Sequence, residues 1–173
     1  VCENGNYYNR FYFVHPDGAV QHYDKKHLFT FGGEHKRFTA GTERVVVNFR
    51  GVRILLEVCY DLRFPVWARN LGDYDMILYV ASWPTPRVDA WSALLRARAI
   101  ENQCYVAGVN RMGVDPACEY SGGSAIIDPY GKTIAECPWS RESAVSADID
   151  MEALQAFRKK FPVLDDADPF TLI

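Results

Sequence analysis

The sequence lacks the features that mark membrane, secreted and nucleic-acid-binding proteins. It contains no run of about 18 or more apolar residues, the length that a membrane-spanning helix requires. Residues 1–4 have neither the basic start nor the apolar stretch of a secretory signal peptide. The formal net charge is -3 and no lysine- or arginine-rich run occurs, so no basic surface for nucleic acid or an anionic membrane is indicated. We therefore expect a cytoplasmic protein whose partner is a small soluble molecule.

Paired cysteines are also missing from the sequence. The chain has five cysteines, an odd number, and no Cys-x-x-Cys pair occurs. This pattern argues against both a disulfide framework and a zinc site. We expect reduced thiols, no metal ion and no cofactor. The cysteines are Cys2, Cys59, Cys104, Cys118 and Cys137.

The apolar content is sufficient for one globular domain. Hydrophobic residues make up 49% of the 173 positions, and no internal repeat, low-complexity tract or linker divides the chain. The first residue is Val1, and strand-like sequence follows it directly. We therefore predict a single domain over residues 1–173, with further sequence preceding it in the parent protein.

Strand-like segments joined by short turns predict three β-hairpins. In the first, Pro16-Asp17-Gly18 forms the turn, because its proline presets one backbone dihedral and its glycine tolerates positive φ. The predicted pairs are residues 9–14 with 20–23, 45–49 with 52–58, and 123–128 with 133–137. Residues 52–58 are nearly all apolar, which is typical of a strand buried on both faces. Further strands are predicted at residues 75–81, 104–110 and 143–149.

Helices are predicted between several of these strands. Residues 64–71 have a helical pattern that ends at Gly72, a suitable C-terminal cap. Asp89 is expected to cap a second helix that runs to about residue 103, and a third helix is expected to cover residues 151–160. Alternating buried strands and amphipathic helices, interrupted by hairpins, predict an α/β fold with a mixed sheet and helices packed on it.

Cys59 is the candidate nucleophile, because it lies where the buried strand 52–58 turns into a helix. A thiol at such a turn is exposed, and the backbone amide of Tyr60 points towards the space beside the sulfur, where it could stabilise an oxyanion. An inert, buried structural cysteine is the alternative interpretation of the same position.

Lys25 is the candidate cationic partner of Cys59. A catalytic thiol needs a nearby cation or base, because the ordinary cysteine pKa is about 8.5. A thiol activated in this way is expected to have a lowered pKa and to be alkylated below pH 7 faster than the other four thiols. Lys25 and Lys26 could instead form a solvated charged surface.

Four motifs follow one another along the chain. They are Lys25-x-His27-Leu28-Phe29, then Glu34, then Cys59-Tyr60-Asp61-x-Arg63-Phe64-Pro65, and then Arg98-Ala99-Ile100-Glu101-Asn102. With these motifs the chain resembles, over essentially its whole length, the nitrilase superfamily of carbon-nitrogen hydrolases. The resemblance implies a nitrilase-like α-β-β-α sandwich with mixed sheets. It also implies that residues 1–173 form the carboxy-terminal two-thirds of the family domain, without its first strands and helices.

The resemblance also implies roles for the motif residues. Cys59 is the residue that is acylated, Lys25 stabilises the tetrahedral oxyanion, and Glu34 supports Lys25 and the substrate. A nitrilase is expected to carry Trp-Glu after the nucleophile, whereas this chain carries Tyr60-Asp61, so amides are favoured over nitriles. The family's first glutamate, the general base, lies upstream of every residue in this chain. We therefore predict that residues 1–173 alone are nearly inactive, since a general base contributes about 10²–10⁴-fold.

Within the superfamily the chain is most similar to the omega-amidase branch, through Ala81-Ser82-Trp83-Pro84 and Arg87. This branch implies hydrolysis of the omega-amide of a 2-oxo dicarboxylic acid, such as 2-oxoglutaramate, to a carboxylate and ammonia. The family also implies a homodimer. Another amidohydrolase of the superfamily, such as an N-carbamoyl hydrolase, and a non-catalytic fragment or partner subunit remain as alternatives.

Several other side chains are candidates for contacts around the site. Arg87 is expected to meet the remote carboxylate of the substrate, and Trp83 to form a wall of the pocket, although a surface arginine and a core aromatic are the alternatives. Arg63, Arg98 and Glu101 are expected to form structural ion pairs. His27 is expected to hold Lys25 by packing or hydrogen bonding, with a direct chemical role as its alternative. The other four cysteines are expected to be structural or incidental.

Overall fold

The structure is a computed structural model, and it describes residues 1–171. Three α-helices lie in this part of the chain: α1 (Pro65–Ala68), α2 (Val88–Glu101) and α3 (Met151–Lys160). None of them is long and apolar enough to cross a membrane. The strands of the described residues are β1 (Cys2–Glu3), β2 (Asn6–Tyr7), β3 (Arg10–Val14), β4 (Val20–Asp24), β5 (Val46–Phe49), β6 (Val52–Val58), β7 (Met76–Ala81), β8 (Tyr105–Asn110), β9 (Met112–Val114), β10 (Glu119–Ser121), β11 (Ala125–Ile127) and β12 (Thr133–Glu136).

Six strands form the central sheet in the order β12-β11-β8-β7-β6-β5. β6, β7 and β8 run parallel. β5 pairs antiparallel with β6, β11 pairs antiparallel with β8, and β12 pairs antiparallel with β11. Each parallel pair is joined by a crossover, which requires helical or turn structure between the strands. The α/β class and the mixed sheet predicted from the sequence are therefore confirmed, and so are the three predicted hairpins.

α2 covers one face of the sheet because its apolar stripe fits closely against β8. Trp91, Leu95 and Ala99 are fully or almost fully buried in this layer. Gly108 in β8 makes the close approach possible, since a Cβ atom there would lie only 2.7 Å from Trp91 and 2.6 Å from Leu95. The β3–β4 hairpin packs on the other face, where Tyr23 contributes to a second apolar cluster. The sheet is thus covered on both sides, as its apolar central strands require.

The predicted helix over residues 64–71 is wrong in extent, because α1 ends at Ala68. Arg69 is already extended, with φ -56° and ψ 129°. The following Asn70 is buried and its side-chain amide donates to the backbone oxygens of Tyr74 and Asn102, at 3.1 and 3.0 Å. These side-chain hydrogen bonds compete with helix continuation. Gly72 therefore lies in the following turn, at φ 78°, and not at a helix cap.

Two other predicted elements differ from the structure. Residues 143–149 form an exposed, irregular segment that pairs with no other strand among residues 1–171, so the predicted strand is wrong. α2 begins at Val88, which places Asp89 inside the first turn and not at the cap position. The predicted third helix is confirmed at residues 151–160, where the Asp150 side chain accepts a hydrogen bond from the Ala153 amide at 2.8 Å.

Candidate active site

The candidate site lies at the carboxyl ends of the three parallel strands. Cys59 follows β6, Ser82 follows β7 and Asn110 ends β8. In open α/β sheets, ligands bind in the crevice beyond this edge, because loops from neighbouring strands meet there. Residues that are far apart in the sequence are thereby brought to one edge.

Cys59 occupies a sharp turn between β6 and a short 3₁₀ helix, Cys59–Arg63. Its φ is +49°, in the left-handed region that residues other than glycine seldom adopt. Backbone strain of this kind is typical of functional turns. The thiol Sγ lies 3.8 Å from the backbone oxygen of Ser82. The predicted position of the thiol at a strand-to-helix turn is confirmed.

Asp61 connects the Cys59 turn to the segment that carries Lys25. Its carboxylate is fully buried, and Oδ2 accepts hydrogen bonds from the Val58 amide at 3.0 Å and the Tyr23 hydroxyl at 2.9 Å. Oδ1 accepts from the His27 amide at 2.9 Å and lies 2.8 Å from His27 Nδ1. His27 therefore packs and hydrogen-bonds as expected, although its partner is Asp61.

Lys25 is a buried cation paired with Glu34. Only 1% of the Lys25 side chain is exposed, and its Nζ lies 2.7 Å from Glu34 Oε2. The same oxygen accepts a hydrogen bond from the Phe29 amide at 2.7 Å, and Asn9 donates to Oε1 at 3.3 Å. Because a buried charge requires a partner with good geometry, Glu34 fixes the position of the ammonium group. The solvated alternative for Lys25 is excluded by its burial.

Lys25, Glu34 and Cys59 line one cleft of about 540 Å³. Arg87 and Tyr120 also line this cleft. The structure thus brings together the three residues that the sequence motifs single out, although 25 to 34 positions separate Cys59 from the other two.

Burial dominates the acidity of the Cys59 thiol. Removal from water raises the pKa of Cys59 above its ordinary value, while the Lys25 charge and the Ser82 backbone contact act in the opposite direction without cancelling the effect. The expectation of a lowered thiol pKa is therefore wrong. The Lys25 ammonium group, which already pairs with Glu34, favours the thiolate. Desolvation disfavours the thiolate by more than this. Attack by Cys59 consequently requires a group that accepts the thiol proton.

The segment after β7 supplies the candidate substrate contacts. Trp83 is buried, and its ring Nε1 donates to the Arg87 backbone oxygen at 2.7 Å. Its amide donates to Asn110 Oδ1 at 2.7 Å, and Asn110 Nδ2 donates back to the Trp83 oxygen at 3.0 Å. Trp83 and Arg87 both line a small pocket beside Cys59. Both therefore lie where a substrate contact is possible, and Asn110 fixes the segment that carries them.

The expected structural ion pairs form only in part. Arg98 is buried, its Nη1 lies 2.7 Å from Glu101 Oε1, and its Nη2 donates to the Leu62 backbone oxygen at 2.6 Å. This contact ties α2 to the Cys59 turn, as predicted. Arg63 has no carboxylate within 4 Å among residues 1–171. It is exposed and its guanidinium lies over the Trp83 ring, so the ion pair expected for Arg63 is wrong.

Sequence reasoning missed several residues that shape the site. Asn9 and Asn110 lie at the ends of predicted strands, and a polar side chain at such an end was the only available signal. The β9–β10 hairpin, which carries Cys118 and Tyr120 to the cleft, was not predicted because its strands are only three residues long. Asp61 was visible within the cysteine motif, but its hydrogen bonds to Tyr23 and His27 depend on the fold.

Comparisons with known proteins identify a matching family and similar relatives. The carbon-nitrogen hydrolase family model matches residues 2–159. Omega-amidase YafV of Escherichia coli (strain K12) is 54% identical over 165 residues, which cover 95% of this chain and 64% of that protein. The 2-oxoglutaramate amidase of Bacillus subtilis (strain 168) is 40% identical over 169 residues, covering 96% and 65%. This chain therefore spans slightly less than two thirds of the length of these relatives.

The fold is also similar to solved structures. XC1258 from Xanthomonas campestris, a CN-hydrolase superfamily protein, superposes with a TM-score of 0.95 at 47% identity, covering 98% of this chain and 67% of that one. Nit3 of Saccharomyces cerevisiae, a member of the nitrilase superfamily, gives a TM-score of 0.81 at 27% identity, covering 90% and 58%. The nitrilase-like fold predicted from the motifs is confirmed.

Proposed function

Because the chain belongs to the carbon-nitrogen hydrolase family, we propose that it hydrolyses the side-chain amide of a short dicarboxylic acid monoamide to a carboxylate and ammonia. The observation that carries the proposal is the shared cleft in which the buried Lys25–Glu34 pair faces the Cys59 turn. The preferred substrate is the omega-amide of a 2-oxo acid, such as 2-oxoglutaramate, in agreement with the names of the omega-amidase and 2-oxoglutaramate amidase relatives.

The proposed reaction has two halves that share one tetrahedral geometry. Cys59 Sγ attacks the amide carbon, the thiol proton passes through a base to the nitrogen, and the carbon–nitrogen bond breaks to release ammonia. A thioester of the acid with Cys59 remains. Water then attacks this thioester, the carbon–sulfur bond breaks, and the acid leaves with the thiol regenerated. The overall balance is amide plus water to carboxylic acid plus ammonia.

Lys25 and the Tyr60 amide are the proposed oxyanion-stabilising groups. Tyr60 is the second residue of the 3₁₀ helix, so its backbone N–H has no acceptor carbonyl within the helix. Lys25 provides a full positive charge in a buried position, where electrostatic stabilisation is stronger than in water. Glu34 keeps this charge in place, and its side chain lines the same cleft.

The raised pKa of Cys59 requires a proton acceptor in the first half-reaction. The general base proposed for this step is the glutamate that the family resemblance implies for thiol activation. Glu34 is engaged by Lys25 and by the Phe29 amide, both at 2.7 Å, which makes it a poor acceptor for the thiol proton. Glu34 is therefore assigned the supporting role.

Trp83 and Arg87 are the proposed substrate-binding residues. Both line the small pocket that contains Cys59, with Trp83 as a buried wall and Arg87 as a half-buried cation. A guanidinium group binds a carboxylate with directional hydrogen bonds, which suits the remote carboxylate of an omega-amide acid.

Ammonia release by the full-length protein tests the proposal. Wild-type protein should release ammonia from 2-oxoglutaramate, and Cys59→Ala should abolish this release. Cys2→Ala is the matched control, because Cys2 is an exposed thiol outside the cleft, and its variant should keep wild-type turnover. Turnover by Cys59→Ala would end the proposal. Release of ammonia from N-carbamoyl compounds, but not from omega-amides, would favour an N-carbamoyl hydrolase instead.

A further inference from the structure

Glu57 is a buried acid beside the turn that carries Cys59. It lies in β6 two residues before Cys59, it is fully buried, and neither of its carboxylate oxygens has a hydrogen-bond partner among residues 1–171. Its register partner in β7 is Tyr79, whose hydroxyl is likewise buried and unpartnered in that part of the chain. A buried carboxylate ion requires hydrogen-bond donors. Ionisation of Glu57 therefore demands donors from the groups around it.

Arg98 is a cation that can supply these donors. Glu57 lies on the same face of β6 as Leu55, which packs in one cluster with α2, and Arg98 in α2 acts electrostatically on Glu57. Arg98 Nη1 lies 2.7 Å from Glu101 Oε1, and Nη2 donates to the Leu62 backbone oxygen at 2.6 Å. The third donor, Nε, is buried and has no partner among the described residues.

Nε and Nη2 form the edge of a guanidinium group that binds a carboxylate through two parallel hydrogen bonds. Another arginine in this protein uses this edge: Arg53 donates from Nε and Nη2 to the two oxygens of Asp75, at 2.9 and 2.8 Å. Such charged, bidentate pairs are stronger than a hydrogen bond to a neutral carbonyl. An ionised Glu57 therefore competes with the Leu62 carbonyl for Arg98.

Other ionisable groups also surround Glu57. Burial, followed by the Asp61 charge, raises the pKa of Glu57 well above its ordinary value, and the charges of Arg44 and Arg98 act in the opposite direction. Three tyrosines feel the Glu57 charge, and burial foremost raises the pKa of each, so they stay neutral: Tyr23, Tyr74 and Tyr79. The two arginines are thus the cations that respond when Glu57 loses its proton.

Arg44 is the competing cation, but it holds a different segment. Its Nε is also buried and unpartnered within residues 1–171, while Nη1 lies 2.9 Å from Asp73 and Nη2 donates to the Arg69 backbone oxygen at 3.2 Å. Only 3% of the Arg98 side chain is exposed, against 14% for Arg44, so water screens an ion pair with Arg98 less. Movement of Arg44 would loosen residues 69–73, whereas movement of Arg98 would loosen the Cys59 turn.

We propose that Glu57 is a positioning residue for Cys59: in its neutral form it leaves Arg98 on the turn, and in its ionised form it draws Arg98 away and loosens the turn. The proton passes to solvent and no covalent bond changes. The Leu62 carbonyl that Arg98 holds belongs to the 3₁₀ helix that begins at Cys59. This proposal rests on the proposed function and deepens it, since it gives the same site an alkaline limit of activity.

Hydrogen exchange of the full-length protein tests the proposal without requiring turnover. In wild-type protein, exchange of the peptide over residues 57–65 should accelerate at least about tenfold at alkaline pH, after correction for the intrinsic pH dependence of exchange. Glu57→Gln and the apolar Glu57→Met, neither of which can ionise, should both lack this acceleration. Glu152→Gln, at an exposed position in α3, should behave as the wild type. Acceleration that persists in both Glu57 variants, or that occurs in residues 69–73 instead, would overturn the proposal.

The pH profile of kcat for 2-oxoglutaramate gives the second readout, which a purely structural role of Glu57 would not shift. In wild-type protein kcat should decline on the alkaline side, and in Glu57→Gln the decline should begin about one pH unit higher or more. Identical alkaline limbs would contradict the positioning role. If the turn loosens through Glu57 but no amide is hydrolysed, the proposed function fails and the positioning of Cys59 by Glu57 is still supported.

Discussion

Asp61 Oδ1 accepts a hydrogen bond from the backbone amide of His27 at 2.9 Å and lies 2.8 Å from the imidazole Nδ1 of the same residue, although Asp61 and His27 are 34 positions apart. Asp61 belongs to the turn that begins at Cys59, and His27 lies two residues after Lys25. The same carboxylate also accepts from the Tyr23 hydroxyl. One buried carboxylate therefore couples the position of the candidate nucleophile to that of the candidate oxyanion-stabilising cation.

Asp61→Ala should destabilise the protein strongly, because it leaves the donors of Tyr23, His27 and Val58 buried without an acceptor. We expect a loss of about 3–5 kcal/mol in the free energy of unfolding, measured by urea denaturation. Asp148→Ala, at an exposed position, should change it by less than ~0.5 kcal/mol. A small effect of Asp61→Ala would mean that the network does not hold the turn.

Glu57 should make stability fall as the pH rises. The Glu57 carboxyl is fully buried in β6, and burial together with the Asp61 charge raises its pKa well above the ordinary value, although Arg44 and Arg98 act in the opposite direction. The folded state therefore favours the protonated form. The contribution of protonated Glu57 to the free energy of unfolding is fully present below the pKa of about 4.3 that a glutamate has in the unfolded chain. This contribution is lost as the pH rises through the higher pKa of Glu57 in the folded state.

Glu57→Gln tests this pH dependence, because it keeps the shape and removes the titration. Urea denaturation at pH 5 and pH 8 should show that the free energy of unfolding declines less with pH in the variant than in the wild type. At pH 8 the variant should be more stable than the wild type by on the order of 1 kcal/mol or more. Glu142→Gln, at an exposed position, should follow the wild-type profile. A variant with the wild-type slope would assign the pH dependence to other groups.

Alkylation of Cys59 should increase with pH through the neutral range, because the thiolate is the reactive form and burial raises the thiol pKa. Iodoacetamide labelling, followed by peptide mass spectrometry, gives the rate at each pH, and Cys2 serves as an exposed reference thiol in the same molecule. In Lys25→Met, which removes the charge that favours the thiolate, the Cys59 profile should move to higher pH. An unchanged profile would show that the Lys25 ammonium does not act on the sulfur.

Lys25→Met should also lower kcat for amide hydrolysis by about 10²–10³-fold in the full-length protein, the usual effect of losing one oxyanion donor. The long apolar side chain of methionine limits the packing loss at this buried position. Lys26→Met is the matched control, since the neighbouring Lys26 is half-buried over the Trp67 ring at 5.1 Å and faces no part of the cleft lining. Similar kcat values for the two variants would contradict the role of Lys25.

Local signals in the sequence were sufficient for most of the sheet. The apolar run 52–58 and the hairpin turn at Arg50-Gly51 predict β5 and β6 nearly residue by residue. Such signals failed where side chains formed hydrogen bonds over long sequence distances. Asn70 bonds to Asn102 and thereby ends the helix that the apolar pattern of residues 64–71 had favoured. No local pattern reports a contact between residues 32 positions apart.

The candidate site was predictable in its members but not in its electrostatics. The motifs identified Lys25, Glu34 and Cys59, which line one cleft. The direction of the Cys59 pKa shift was wrong, because it depends on how deeply the turn is buried. The stacking of Arg63 on Trp83, in place of an ion pair, likewise depends on the course of the segment after β7. Burial and long-range packing are set by the whole fold.

Acylation of Cys59 during turnover is the central claim, and mass spectrometry of rapidly quenched full-length protein tests it most directly. With 2-oxoglutaramate as the substrate, the peptide that contains Cys59 should gain the acyl group of the substrate without its amide nitrogen. The adduct should be labile to hydroxylamine, as a thioester is, and absent from Cys59→Ala. An acyl group found on another residue, or steady turnover by Cys59→Ala, would contradict the account.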